Sequence, residues 1–138
     1  MKVAFENPIF QTIGTPAFKK MFAETKDVDM SKLLIESIRR PRGWMHIPLI
    51  LARGVDINKK DRTGMTPWIA AILSNDSDIM QQLYEYGGDV NYEGRLLDLV
   101  LEKRLYFSLC FLLRRGVKVE KRHLRTEWED AKLKLECM

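Results

Sequence analysis

Apolar residues recur along the chain three and four positions apart, the spacing that gathers side chains on one face of a helix. Short stripes of this kind, separated by turns that contain glycine or proline, predict an all-α chain of short helices. The stripes are, in chain order, Ile9, Phe10 and Ile13; Phe18, Met21 and Phe22; Leu33, Leu34, Ile35 and Ile38; Trp68, Ala70, Ala71 and Ile72; Ile79, Met80, Leu83 and Tyr84; Leu97, Leu99 and Val100; Phe107, Leu109, Phe111, Leu112 and Leu113; and Trp128, Ala131, Leu133 and Leu135.

Polar residues beside the stripes predict where the helices begin. A capping side chain followed by proline marks a helix start, because proline lacks only an N–H that the first turn leaves unused. Starts of this kind are Asn7-Pro8, Thr15-Pro16 and Thr66-Pro67, and Thr126 with Glu129 forms a capping box before the last stripe. Gly14 and Gly87 suit the left-handed residue that ends a helix.

Residues 44–53 are predicted to form the second helix of a pair whose first helix covers 31–40. Pro48 would remove a hydrogen bond from the interior of that helix, but the first turn tolerates it. We therefore expect a short helix that begins near His46.

A glycine-led ending recurs three times, at 54–58, 87–91 and 116–120, with spacings of 33 and 29 residues. A period near 33 with two helices per unit is typical of a stacked repeat array. We predict one domain over 1–138, with repeats at 31–58, 59–91 and 92–120. A helix pair over 1–30 and a helix over 121–138 are expected to cap the two ends, because an end repeat has one face without a neighbour.

The charge balance and the cysteines narrow the function classes. The formal charge is +4, and the excess is local to 114–125, so the footprint is smaller than that of a broad nucleic-acid binder. Neither Cys110 nor Cys137 has the spacing of a metal site or a disulfide framework, which predicts reduced thiols in a cytoplasmic protein. We find no signal peptide and no apolar run long enough to span a bilayer, and expect no membrane partner.

No catalytic motif accompanies these features. His46 and His123 are the two histidines, and neither has a motif around it. Cys110 lies in an apolar stripe and is expected to be a buried structural thiol. Phosphate loops, paired carboxylates and Cys/His metal spacings are not found. We therefore predict that the protein is not an enzyme and uses no cofactor and no metal.

These residues resemble the ankyrin repeat family. The similarity is strongest over 61–91, in the family's order and spacing: Asp61, Gly64, Thr66-Pro67, Ala70-Ala71, Ile79, Leu83 and Gly87-Gly88-Asp89-Val90-Asn91. It weakens to the ending and the helix pattern in 31–58 and 92–120. The resemblance implies an ankyrin-repeat solenoid of stacked helix–turn–helix units with helical caps, and a non-catalytic module that binds a partner protein through loop tips and a concave helix face.

Carried over residue by residue, the resemblance implies one set of partner-binding residues in the clear repeat and one in the repeat whose loop is four residues shorter. These are Lys60, Arg62, Met65, Leu73 and Ser74, then Tyr92, Arg95, Glu102 and Lys103. Their charge favours an acidic partner. A short chain with few, degenerate repeats fits a microbial or viral inhibitor, an immunity protein or an effector.

Alternatives remain open at this point. The basic segment 114–125 could bind nucleic acid, which we rank as unlikely, and an uncapped end of the stack could pair with a second copy, although a monomer is expected. Trp68 occupies a leucine position of the family, so we expect it in the core. Trp44 is expected to pack between repeats, and Tyr86 and Tyr92 are interpreted either as exposed contacts or as covers of helix ends.

Overall fold

In the computed structural model, residues 7–120 and 123 are described, and they contain seven α-helices and no strand. The predicted all-α class is confirmed for this part of the chain. The helices are α1 (Ala17–Glu24), α2 (Met30–Arg39), α3 (Ile47–Arg53), α4 (Pro67–Leu73), α5 (Ser77–Glu85), α6 (Leu96–Lys103) and α7 (Tyr106–Arg114), with short 3₁₀ helices at Pro8–Thr12, Gly43–His46 and Tyr92–Gly94.

The predicted helix starts are largely confirmed. Asn7 accepts a hydrogen bond from the N–H of Ile9 ahead of the first 3₁₀ helix. The buried Thr66 hydroxyl accepts one from the N–H of Ile69 and so caps α4. At α1 the prediction was one residue off, because Pro16 rather than Thr15 lies at the cap position. The capping box at Thr126 and the final helix lie outside the described residues.

The helix with Pro48 is short and starts beside His46, as expected. A 3₁₀ turn over Gly43–His46 precedes α3, which places Pro48 in the first turn of α3. There its missing N–H removes no hydrogen bond of the helix. The long predicted pair 31–40 and 44–53 is therefore realised as α2, a 3₁₀ turn and α3.

The chain divides into two compact units, at 1–70 and 71–138, with the boundary inside α4. In the first unit α1 packs against the 3₁₀ helix Pro8–Thr12, and α2 packs against α3. Phe18 is buried and stacks on Phe22 and on His46. The Arg53 guanidinium lies 3.5 Å from the Phe22 ring centroid and donates to the carbonyls of Phe22 and Thr25, which ties the end of α3 to the end of α1.

His46 is a structural histidine of the first unit. Its Nε2 accepts a hydrogen bond of 2.9 Å from the N–H of Gly14. Burial lowers the pKa of His46 below its ordinary value. Both features favour the neutral imidazole, which can accept a hydrogen bond at one ring nitrogen.

In the second unit α7 packs against both α5 and α6. Tyr84 and Phe111 meet edge to face, with ring centroids 5.7 Å apart. The Arg115 guanidinium lies over both rings, 4.1 Å from the centroid of Phe111 and 5.1 Å from that of Tyr84, and hydrogen-bonds to Gln81. One arginine thus joins α5 to the end of α7.

Cys110 is buried and disulfide-bonded, so the prediction of reduced thiols was wrong. The one other cysteine of the sequence, Cys137, lies outside the described residues.

Two exposed aromatic residues also contradict the sequence analysis. Trp68 is buried in the core as expected, but Trp44, expected to pack between repeats, is 56% exposed. Phe107, placed in the apolar stripe of α7, is 54% exposed. Both lie at the start of a helix just after a turn, where the first residues project beyond the packed face. Within the described residues no helix is long and apolar enough to cross a membrane.

Candidate functional site

The loop 58–66 of the first unit is organised around one carboxylate. Oδ1 of Asp61 accepts from the N–H of Thr63 at 2.8 Å, from the hydroxyl of Thr63 at 2.6 Å and from the N–H of Met65 at 2.9 Å. The N–H of Asp61 donates to the carbonyl of Met65 at 2.9 Å, and Gly64 adopts the left-handed φ of +87° that closes the turn. The loop therefore has a defined shape although it is solvent-exposed.

The same contacts favour the ionised form of the Asp61 carboxyl group. The hydrogen bond from the Thr63 hydroxyl lowers the pKa of Asp61, with further lowering from the two backbone N–H groups and from the positive charge of Arg39. Slight burial acts in the opposite direction and is outweighed. The carboxylate is thus ionised whenever the loop has this shape near neutral pH.

A groove of about 460 Å³ lies between this loop and the outer face of α2. We call it the α2 groove. Its lining residues are Asp29, Ser31, Lys32, Ile35 and Glu36 from the start of α2 and Lys59, Lys60, Asp61, Arg62 and Thr63 from the loop. The loop supplies three cations to its rim, and α2 supplies a fourth.

The carboxylates of the α2 groove are already engaged within the protein. Asp29 caps α2 by accepting from the N–H of Lys32 at 3.1 Å. Glu36 accepts from Nε of Arg40 at 3.0 Å. Asp61 holds the loop. Because these anions are committed to structural contacts, the exposed cations Lys59 and Arg62 dominate the charge that the rim presents to a partner.

The predicted partner-binding residues of the first unit are close together. Lys60 and Arg62 are exposed and line the α2 groove. Met65 is half-buried rather than exposed, and its backbone N–H and carbonyl both bond to Asp61. Met65 thus belongs to the scaffold of the loop as much as to its surface.

In the second unit, Leu73 and Ser74 are half-buried at the end of α4. The Ser74 hydroxyl donates to the carbonyl of Ala71 at 2.6 Å and accepts from the N–H of Asp76 at 3.2 Å. These bonds give Ser74 a role in the turn before α5, so little of its hydrogen-bonding capacity remains for a partner.

The remaining predicted residues lie along α6 and the turn before it. Tyr92 is half-buried in the 3₁₀ helix Tyr92–Gly94, and the exposed Arg95 pairs with Glu93 at 3.0 Å. Glu102 and Lys103 are exposed at the other end of α6. The second set is therefore split between the two ends of one helix.

The sequence analysis missed the contribution of α2 to the groove. Lys32 and Glu36 are four residues apart, so they lie on one face of that helix. The polar positions left over by the apolar stripe of α2 could have indicated this face. Only the tertiary fold, however, brings the loop residues Lys59–Thr63 beside it.

Some side chains of the basic segment 114–125, considered above as a nucleic-acid-binding segment, make contacts within the protein. Arg115 packs on the rings between α5 and α7. Lys118 lies 3.9 Å from the carboxylate of Glu120, and its N–H donates to Asn91. Lys121, Arg122 and Arg125 lie outside the described residues. Of the described cations of this segment, Arg115 and Lys118 are thus already in contact with other groups of the protein.

A second cavity, of about 390 Å³, lies in the second unit beside His123. The histidine is buried, and its Nδ1 accepts from the N–H of Glu120 at 2.8 Å. Its Nε2 lies 3.0 Å from Oδ1 of Asp98, without the alignment of a hydrogen bond.

Across residues 7–120 and 123, no group of three or more His, Cys, Asp or Glu side chains is arranged to hold a metal ion. No protein-family model matches the chain, and no curated protein and no solved structure matches it either. The functional argument therefore depends on the geometry of the chain itself.

Proposed function

We propose that the protein is a non-catalytic module of ankyrin-repeat type that binds an acidic segment of a partner protein in the α2 groove. The observation that carries this proposal is the groove itself, where a rigid loop and a helix face meet under a rim of cations. A rigid surface loses little entropy on association, which favours binding.

The repeat part of the proposal is supported by backbone conformation. Left-handed glycines follow α3, α5 and α7 at Gly54, Gly87 and Gly116. Left-handed residues other than glycine precede the second helix of each pair, at Arg42, Asn75 and Arg104. Both series have spacings of 33 and 29 residues. Such residues are uncommon, so two series with the same spacing favour three copies of one helix–turn–helix unit.

Side-chain contacts repeat with the same period. Asp56 accepts from the N–H of Asn58, and Asp89 accepts from the N–H of Asn91, each at 2.9 Å. In the third ending this aspartate is replaced by Lys118, whose N–H instead donates to Asn91. The two preserved turns favour a shared ancestry of the endings, and the third departs from them where the sequence departs.

The partner chemistry follows from the rim of the groove. Charged residues of one sign attract a partner of the opposite sign and raise the rate of encounter. Lys59, Lys60 and Arg62 come from one loop of defined shape, so their backbone needs little ordering on binding. We infer that the ligand is an acidic, extended segment of a protein. In biological terms, we propose that the chain acts as a microbial or viral inhibitor, an immunity protein or an effector.

The test is capture from the native source with the immobilised protein, identification by mass spectrometry, and measurement of the affinity for the captured protein. We expect Lys60→Glu with Arg62→Glu to weaken that affinity at least tenfold with the thermal midpoint unchanged. The matched control is Lys19→Glu with Lys20→Glu, which reverses two exposed charges on α1 in the same unit. Equal affinity of both double variants would remove the groove from the proposal.

The compartment is part of the proposal and depends on Cys110. The disulfide bond favours an oxidising compartment over the predicted cytoplasm, because reducing systems of the cytosol keep thiols reduced. The redox state of the cysteines in the native source therefore indicates the compartment. Alkylation of the source cells before lysis measures that redox state directly.

A further inference from the structure

The three turns that join the two helices of a pair differ in the side chains that they expose, and the proposed function does not involve these side chains. All three contain a left-handed residue, at 42, 75 and 104. Two and three positions later, the middle turn has Ser77 and Asp78, while the other two have exposed aromatic or apolar residues. We call 42–45 (Arg-Gly-Trp-Met) the first aromatic turn and 104–107 (Arg-Leu-Tyr-Phe) the second aromatic turn.

The first aromatic turn is held rigidly. A Cβ at Gly43 would lie 2.0 Å from the carbonyl oxygen of Ser37, and a Cβ at Gly14 would lie 2.5 Å from that of Pro41. The chain on both sides of Arg42 is thus in close backbone contact. Arg42 nevertheless adopts φ +63°, a conformation that costs a non-glycine residue energy and that packing on both sides maintains.

This rigid turn exposes apolar side chains to water. Trp44 is 56% exposed and Met45 is 43% exposed, and both follow Arg42 directly. Pro41, Arg39 and Arg42 are exposed beside them. Large apolar side chains that sit together on a surface with cations mark an interaction site more often than single exposed residues do.

The second aromatic turn has the same composition. Phe107 is 54% exposed and Tyr106 is 37% exposed, and their rings meet edge to face with centroids 5.5 Å apart. Lys103 and Arg104 precede them and are exposed. The residues at the cap positions of α3 and α7, His46 and Leu105, make no side-chain cap bond, whereas Asp76 caps α5 after the middle turn. The first turn of α7 is instead satisfied from the middle turn, because the N–H of Ser108 donates to Oδ1 of Asn75 at 3.0 Å.

We propose that the two aromatic turns bind an anionic phospholipid surface. Tryptophan and tyrosine prefer the boundary between headgroups and hydrocarbon, because each has an apolar ring with one polar atom. Arginine and lysine beside them attract anionic headgroups. Contact of this kind needs no spanning helix, so it agrees with the short helices of the described chain.

A second copy of the chain fits these turns less well. In a symmetric dimer the same patch occupies both sides of the contact, so both sides would present the exposed cations Arg39 and Arg42. Like charges at close range oppose such a contact. A lipid surface offers many negative charges and needs no complementary pocket, so both turns can use it independently.

The experiment is sedimentation with vesicles of equal parts phosphatidylcholine and phosphatidylserine, with pure phosphatidylcholine vesicles beside them. We expect the protein to bind the anionic vesicles and to be released by added salt. Trp44→Ser with Met45→Ser should lower the partition coefficient about tenfold, and Tyr106→Ser with Phe107→Ser by a similar factor. Tyr86→Ser, which removes an exposed aromatic residue outside both turns, should bind as the wild-type protein does.

Trp44 provides a second readout. The sequence has two other tryptophans, Trp68, which is fully buried, and Trp128. In protein that carries Trp128→Phe, the emission change on vesicle binding should therefore disappear when Trp44→Phe is added, while sedimentation persists. Lys60→Glu with Arg62→Glu should alter vesicle binding no more than Lys19→Glu with Lys20→Glu, which separates this surface from the α2 groove.

Failure of the wild-type protein to sediment with anionic vesicles at low salt would overturn the proposal. Equal sedimentation of both turn variants and the wild-type protein would overturn it too. The turns would then be free to bind another protein or a second copy, but not the lipid surface.

Discussion

The loops that lead into α4 and α6 each follow a glycine-led ending of the sequence but are built differently. The loop 58–66 extends away from its helix and is held by the carboxylate of Asp61 and by the buried cap Thr66. The loop 91–95 is four residues shorter, folds into a 3₁₀ turn and enters α6 at Arg95 without a side-chain cap. Each loop lines a cavity: 58–66 contributes to the α2 groove, and 91–95 contributes Asn91 and Gly94 to the cavity beside His123.

The two units also use different means of stabilisation. The first depends here on polar contacts around Asp61 and Thr66, together with the Arg53 guanidinium on Phe22. The second has shorter turns, an arginine between rings, and the disulfide bond of Cys110. The two loops thus differ in what holds them: one carboxylate organises 58–66, whereas 91–95 contains a 3₁₀ turn in which Glu93 pairs with Arg95.

The largest expected effect is on the second unit. Reduction of the disulfide bond should lower the free energy of unfolding by about 2–4 kcal/mol. Hydrogen exchange read by mass spectrometry should then speed up in α7 (Tyr106–Arg114) and stay unchanged in α2 (Met30–Arg39).

The control for this prediction is Cys110→Ser, which should show the same loss without reductant and no further response to it. Alkylation of the denatured, unreduced protein should label neither cysteine, and prior reduction should expose both. Two labelled cysteines in unreduced protein would contradict the disulfide bond.

The second prediction compares the two helix entries. Thr66→Ala should lower the free energy of unfolding by about 1–2 kcal/mol, because it leaves the buried N–H of Ile69 without its acceptor. Arg95→Ala at the uncapped entry of α6 should change it by less than about 0.5 kcal/mol. Urea denaturation measures both, and Thr66→Ser, which keeps the hydroxyl, should recover most of the loss. Similar losses for Thr66→Ala and Arg95→Ala would mean that the entries do not differ.

The third prediction concerns the left-handed residue in each loop. Gly64 has φ +87° and open space around it, so Gly64→Ala should cost about 1 kcal/mol from backbone strain alone. Glu93 has φ +54°, and Glu93→Gly should stay within about 0.5 kcal/mol of the wild-type protein, because relieved strain offsets the greater entropy of the unfolded chain. Thermal unfolding distinguishes these outcomes, and a stabilising Gly64→Ala would refute the assigned turn.

The smallest effect is the acid response of Asp61. Because its pKa is lowered in the folded state, the unfolded chain takes up the proton first as the pH falls. The stability that the carboxylate contributes is present above its ordinary pKa of 3.8 and is lost as the pH falls through the lowered folded value. Asp61→Asn should therefore show a shallower loss of stability below about pH 4. The change is small because the group is solvent-exposed, and identical acid profiles would argue against it.

The parts of the fold that were predictable are those encoded locally. Thr66-Pro67 alone predicts the start of a helix, because threonine can cap it and proline suits its first turn. Pro48 restricts where α3 can start, because proline lacks the N–H that a helix interior requires. Lys60 and Arg62 were found through a resemblance in spacing, and both line the α2 groove.

The parts that were missed depend on distant contacts. Lys32 joins the site only because the fold brings the loop beside α2, and the spacing of the cysteines did not indicate that Cys110 is disulfide-bonded. Trp44 and Phe107 fit a helical stripe by type, yet they lie on the exposed side, because hydrophobicity alone does not say which residues of a helix start project from the core.

The loop built on Asp61 has a consequence for how this surface can change. Its shape comes from one carboxylate, one hydroxyl and the backbone of 61–65, so the side chains at 59 and 62 contribute little to it. A combinatorial library at those two positions would vary recognition while the scaffold stays constant. Divergence of specificity by substitution at these positions therefore costs little stability.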